Sequence, residues 1–171
     1  MKYFLDTEFI ERPNTIELIS IGLVCEDGRE LYLISSEYKF NDCSEWVKDN
    51  VVLPMYLETI NGDNRNRFDI NYFQNYYGKK LEVIKEKVLE FIGDDVPEFW
   101  GYYADYDWVI FCWLFGAMID LPEGWPMYCR DLKQILDATG KKSIAKPVGE
   151  HNALVDAKWN EELYNHLFDI G

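Results

Sequence analysis

KYFLDTEF, residues Lys2–Phe9, is the run from which the rest of the sequence takes its order. Tyr3, Phe4 and Leu5 form an apolar segment that reads as a buried strand, and it ends on Asp6-Thr7-Glu8. Side chains alternate between the two faces of a strand, so residues two apart point the same way. Asp6 and Glu8 therefore stand side by side at the carboxyl end of a core strand. Two carboxylates this close repel unless one takes a proton or a cation sits between them. The pair is either a structural feature balanced by salt bridges or half of a divalent-metal site.

Outward from this strand, Phe9–Thr15 (FIERPNT) reads as a loop because it carries a Pro and an Asn. Ile16–Cys25 is apolar on both faces, as a central strand requires. Glu26-Asp27-Gly28-Arg29 then holds an Asp-Gly hairpin turn, and Glu30–Ile34 returns antiparallel. Ser44–Asn50 reads as a short helix capped by Ser44. The Asn-rich stretch from Pro54 to Gly78 reads as a long polar loop, with Arg65 and Arg67 near several aromatics that could grip a nucleic-acid backbone and its bases. Lys79–Ile92 is an amphipathic helix, with Leu81, Ile84, Val88, Leu89 and Ile92 recurring near 3.6 residues and Gly93 stopping it. Glu98–Tyr103 reads as a fourth strand, about Tyr106 to Ala117 as a helix, and Pro126–Cys129 as a short fifth strand. Asp131 is placed to cap a helix over Leu132–Thr139, and the last helix runs from Ala153 to about Phe168. This order predicts an α/β protein, one domain over residues 1–171, with a mixed sheet flanked by helices.

Composition narrows the function. Hydrophobic residues make up 48% of the chain, with 12 Tyr, 10 Phe and 6 Trp, which excludes a disordered protein. No apolar run approaches the roughly 20 residues of a membrane span. The N-terminus enters the first strand without the basic-then-apolar layout of a signal peptide, so a soluble, cytoplasmic protein is expected. Cys25, Cys43, Cys112 and Cys129 form no CxxC pair, and with His151 and His166 as the two histidines a zinc site of Cys/His type is improbable. Any bound metal should be a hard ion held by oxygens, such as magnesium or manganese. A net charge of −14 argues against broad phosphate binding, but it is compatible with a nuclease whose metal ions supply local positive charge.

Chemistry-bearing residues fall at element ends: Asp6 and Glu8, then Asp107 where the fourth strand meets its helix, then His151 and Asp156 around the start of the last helix. Ligands gathered from the ends of separate elements are how α/β folds commonly build sites. Asp-x-Glu on a first strand, Tyr106-Asp107 opening a helix and His151-x4-Asp156 together resemble the DEDDh branch of the 3′–5′ exonucleases. DTEFIE, TIELISIG, EDGRE, ADYDW and HNALVDA are most similar to the RNase AS exoribonuclease group. The similarity runs from Lys2 to about Trp159 and weakens in 54–80.

The resemblance implies a ribonuclease H-like fold with a five-stranded sheet whose first three strands are antiparallel. It implies that Asp6, Glu8, Asp107 and Asp156 hold two Mg²⁺ or Mn²⁺ ions, with His151 as general base. The partner would be single-stranded RNA or an RNA 3′ overhang, with adenylate preferred, and the assembly a homodimer. Asp107 rather than Asp105 fits the pattern, because it directly follows an aromatic residue and precedes an apolar helix. Tyr103 departs from that pattern, since many relatives carry Asn four residues before the third carboxylate. Thr7, Phe9, Tyr103, Arg65 and Arg67 are candidate substrate contacts, and Lys141, Lys142 and Lys146 form a basic loop ahead of His151. Two other readings stand beside the exoribonuclease: a DNA 3′–5′ exonuclease with the same site, and an inactive nuclease fold used to bind nucleic acid.

Overall fold

A computed structural model describes residues 1–60 and 68–170. Its sheet has the order β3-β2-β1-β4-β5, built from β1 (Lys2–Arg12), β2 (Thr15–Cys25), β3 (Glu30–Ile34), β4 (Glu98–Gly101) and β5 (Arg130–Asp131). The first three strands pair antiparallel, while β4 and β5 add on in parallel. Helices α1 (Glu45–Val47), α2 (Leu53–Thr59) and α3 (Ile70–Tyr76) follow β3, and α4 (Leu81–Ile92) leads into β4. Next come α5 (Asp105–Trp113) after β4, and α6 (Leu132–Thr139) and α7 (Ala153–Leu167) after β5. This is the ribonuclease H-like mixed sheet flanked by helices that the sequence predicts.

Alternation along β1 assigns the two layers. Tyr3 and Leu5 point into a core shared with Ile84, Val88 and Ile92 of α4 and Phe111 of α5. Phe4 points the other way, onto Leu132 of α6 and Ala157, Leu163 and Leu167 of α7. A third cluster fills the far end of the sheet, where Ile10, Ile19 and Ile34 meet Val52, Met55, Tyr56 and Phe73 from α1–α3 and the turn between α1 and α2. The β1–β2 register shifts between Glu8 and Phe9, with Ile19 as the extra residue on β2. Such a bulge re-aims the side chains beyond it.

The structure corrects several expectations. Phe9–Thr15 is not a loop: β1 continues to Arg12, and the chain turns at Pro13-Asn14, where Asn14 has φ 65°. Ile10 is buried there, and Arg12 is ion-paired with Glu17 and Asp42, so the polar end of the strand has partners. Among the described residues of 54–78, most are helical, in α2 and α3, rather than loop. In α2, Met55 and Tyr56 are buried, and α3 is capped by Asp69, which accepts from Tyr72 N at 3.0 Å. Short helices owe their stability to such packing more than to propensity. Arg65 and Arg67 lie outside the described residues. The fifth strand falls at Arg130–Asp131 and not at Pro126–Cys129, whose Met127 and Tyr128 are exposed. Strand β4 stops at Gly101, and Tyr103 turns the chain with φ 56°. Asp131 caps α6 as expected, accepting from Lys133 N at 2.7 Å, and its other oxygen accepts from Ala104 N at the start of α5. No helix of the described residues is long and apolar enough to cross a membrane.

The start of α7 rests directly on β2 at Gly22, the residue opposite Asp6. A Cβ at Gly22 would sit 2.2 Å from Ala153 O and 2.5 Å from Leu154 N, both of them backbone atoms. Gly22→Ala should therefore destabilise the fold by about 1–3 kcal/mol or more through overpacking. It should also push the first turn of α7, with Asp156, away from Asp6. Urea unfolding of the variant checks the first effect, and an unchanged midpoint would contradict the close approach.

Candidate metal and catalytic site

The site begins with backbone groups that β1 cannot satisfy by strand pairing. On the β4 side, β1 pairs only over Lys2–Phe4, opposite Glu98–Trp100. Odd-numbered residues of β1 turn their backbone groups toward that edge, which leaves Leu5 C=O and Thr7 N–H beyond the end of β4. Buried backbone groups of this kind need partners. Asn160 of α7 donates its side-chain N–H to Leu5 O at 3.0 Å, and Asp107 of α5 accepts from Thr7 N at 2.8 Å. Asp107 also accepts from the Thr7 hydroxyl at 2.5 Å. Two helices from opposite layers are thereby fastened to the same strand, one on each side of Asp6.

Asp6 and Glu8 share the face that carries α7, where Asp156 stands in the first turn. Asp6, Glu8 and Asp156 each present an oxygen within 4.8 Å of the others. His151 is in the loop just before α7, in a left-handed backbone conformation with φ 70°. Its N–H donates to Asp156 Oδ2 at 2.8 Å. Asn152 caps the helix by accepting from Leu154 N and Val155 N. The cleft between these elements measures about 440 Å³, and Asp6, Glu8, Asp107, His151 and Asp156 all line it.

Electrostatics here are adverse. Burial, then the charges of Asp107, Glu8 and Asp156, push the Asp6 carboxyl well above the ordinary range. Glu8 is pushed up to about 8, by burial first and then by Asp156 and Asp107. Asp107 rises to about 6 through burial, against the Thr7 hydrogen bonds that favour its charged form. Asp156 is raised by burial too, with the His151 N–H and the Lys146 charge opposing. Like charges gathered in a low-dielectric cleft favour protonation or a bound cation. Asp6, Glu8 and Asp156 offer the all-oxygen surroundings that a hard dication takes, while Asp107, outside that group, lines the same cleft with one oxygen committed to Thr7.

The other predicted residues divide. Thr7 is buried, and its hydroxyl is committed to Asp107. Phe9 lines the cleft and meets Tyr106 edge-on, with ring centroids 5.9 Å apart. Tyr103 is 63% exposed on the cleft wall. Asp105 is exposed, whereas Asp107 is 7% exposed. Of the basic loop, Lys146 lines the cleft with its ammonium 3.9 Å from the Trp159 ring centre. Lys141 instead binds the end of α7 at Leu167 O and Asp169. His166 lies away from the cleft, its Nε2 2.9 Å from Lys142 O. Sequence reasoning missed Asn160 and Trp159. They follow Asp156 by four and three residues on one helix, a spacing that puts them on the same face, and that signal was available.

A linkage effect follows from the raised carboxyls. A group whose folded pKa exceeds its unfolded value gives stability that is fully present below the unfolded pKa, about 4.3 for Glu. That stability is lost as pH rises through the folded value, here about 8 for Glu8. In EDTA, Glu8→Gln should therefore unfold at a higher temperature than the wild type. The gain should be negligible near pH 4 and reach on the order of a few kcal/mol at pH 8. Melting curves across that window check it; a gain that is flat with pH would contradict the repulsion.

Comparison with known proteins identifies the family. Residues 1–168 match the family model described as the 3′-5′ exoribonuclease Rv2179c-like domain. A 3′-5′ exoribonuclease of Mycobacterium tuberculosis (strain ATCC 25618 / H37Rv) is 38% identical over 159 residues, covering 92% of this chain and 88% of the relative. Its counterpart in strain CDC 1551 / Oshkosh matches to the same extent. The chain belongs to the Rv2179c-like 3′-5′ exoribonuclease family.

Proposed function

We propose that the protein is a divalent-metal-dependent 3′–5′ exoribonuclease of DEDDh type. It shortens single-stranded RNA, or RNA 3′ overhangs, releasing nucleoside 5′-monophosphates. The observation that carries this reading is the meeting of Asp6 and Glu8 of β1 with Asp156 of α7, their oxygens within 4.8 Å. Family membership supports it independently. Asp6, Glu8 and Asp156, with Asp107 on the same cleft, would hold two Mg²⁺ or Mn²⁺ ions. Such ions, when bound, supply Lewis acidity to the scissile phosphate and lower the pKa of a water nucleophile.

The chain's own residues do the rest. His151 accepts the proton of the attacking water as general base, a task suited to the basic ring nitrogen of an imidazole. Its backbone N–H meanwhile holds Asp156 in place. Thr7 and Asn160 fix the strand and helices around the reacting phosphate. Phe9 and Tyr103, on the cleft wall, are placed to contact the terminal nucleotides by stacking. The homodimer belongs to the same reading; Ile119, Met127 and Tyr128, each more than half exposed, are apolar side chains available to an interface.

The test is a time course on 5′-labelled RNA and DNA oligonucleotides of one sequence, with Mg²⁺, Mn²⁺ or EDTA. Expected is a ladder that shortens from the 3′ end on RNA only and stops in EDTA, with oligoadenylate consumed faster than oligouridylate. His151→Ala should lower kcat by about 10²–10⁴, the usual contribution of a positioned base. Equal or faster shortening of DNA would move the assignment to a DNA exonuclease. Cleavage of neither, by folded protein with metal present, would make it a binding module.

Thermal melts test the metal independently of activity. Mn²⁺ at about 100 times its Kd should stabilise the wild type by about 2.7 kcal/mol and Asp6→Asn by much less. Equal shifts in both proteins would remove Asp6 from the metal site.

A further inference from the structure

We infer that Trp46 is a positioning residue for His151, an assignment that rests on the exoribonuclease reading above. The indole and imidazole rings meet edge to face, with centroids 4.8 Å apart and planes at 80°. Trp46 belongs to α1, in the segment between β3 and α4 and far in sequence from the His151 loop. At 54% exposed, it lies outside the three core clusters formed by the described residues. A half-exposed ring is common on a protein surface, and what distinguishes Trp46 is the imidazole it touches.

His151 needs such a partner for two reasons. Its backbone sits at φ 70°, a region that a residue with a Cβ rarely occupies unless its surroundings fix it. Its final side-chain torsion joins an sp³ to an sp² carbon and has a broad, roughly two-fold preference, so rotamer wells do not set the ring's direction. On the α7 side, the His151 N–H to Asp156 bond and the Asn152 cap fix the backbone. They do not touch the ring. From the other side, α2 ties down the same loop through Asn152 Nδ2, which donates to Glu58 Oε2 at 3.0 Å. Trp46 then bounds the ring itself. The α1–α2 segment therefore carries the orientation of the base, which must lie within hydrogen-bond reach of its proton to act.

The test is steady-state kinetics on single-stranded RNA for the wild type, Trp46→Ala, Trp46→Phe, His151→Ala and the Trp46→Ala/His151→Ala double variant. Melting temperatures should be recorded for each. Trp46→Ala should lower kcat about tenfold with KM within about twofold, a partial loss of the general-base contribution. Trp46→Phe, which keeps an aromatic edge and guards against misfolding of the alanine variant, should recover most of it. In the His151→Ala background, Trp46→Ala should cost nothing further. A multiplicative loss there, or a raised KM at unchanged kcat as for a base-stacking platform, would overturn the assignment. So would wild-type kcat in Trp46→Ala when His151→Ala is impaired, with the proposed chemistry left standing. Wild-type kcat in His151→Ala would instead overturn His151 as the base, and the role of Trp46 with it.

Discussion

Strand β1 is longer than the parallel strand beside it, and the site depends on that mismatch. Once β4 has ended, Leu5 C=O and Thr7 N–H must find other partners or remain buried without them, at a cost of about 1–3 kcal/mol each. Asn160 and Asp107 provide those partners from α7 and α5. The same two bonds bring both helices against the segment that carries Asp6 and Glu8. Satisfying the backbone and assembling the carboxylates are thus a single structural event. A longer β4 would close the edge and leave Asp107 nothing to hold.

Around this edge, the fold tolerates local cost in several places at once. Burial raises all four cleft carboxyls, and the neighbouring carboxylates raise Asp6 and Glu8 further. His151 and Tyr103, on the walls of the cleft, both have positive φ without being glycine. The β2 bulge at Ile19 lies beside Glu8. Strain, bulges and like-charge contacts cluster where structure serves something other than stability. The core layers on either side, built from Tyr3, Leu5 and Phe99 and from Phe4, Leu163 and Leu167, are well packed and offset that cost.

What the sequence made legible were features encoded locally. Alternation put Asp6 and Glu8 on one face, helical periodicity marked α4 and α7, and the polar-to-apolar change at Asp131 marked the α6 cap. The family resemblance, whose third carboxylate directly follows an aromatic residue, separates Asp107 from Asp105, although both lie in the first turn of α5. Features that depend on distant partners were not legible. Phe9–Arg12 looks like a loop by composition and becomes strand only because Ile10 has a core to enter and Arg12 has acids to meet. Helices α2 and α3 are too short to declare themselves, and they are held by burying their own Tyr56 and Phe73 against Ile10, Ile19 and Ile34 of the sheet. Strand β5 is two residues long, below what any pattern resolves. Trp46 carried no signal, since nothing in its neighbourhood in sequence points to His151.

The acidity that first argued against a nucleic-acid substrate has a more specific meaning at the cleft. Asp6, Glu8, Asp107, Asp156 and Glu150 line it, against Lys146 as its lysine. A phosphodiester entering that cleft alone would meet a field of its own sign, undiminished by distant counter-ions where water is excluded. Divalent cations reverse the sign of the local field, and the substrate's charge then completes the neutralisation. On the metal-dependent reading proposed above, metal and phosphate would bind with positive coupling, each raising the affinity of the other by the same factor. On the same reading, a chain with a net charge of −14 repels nucleic acid over most of its surface and admits it where cations would be held.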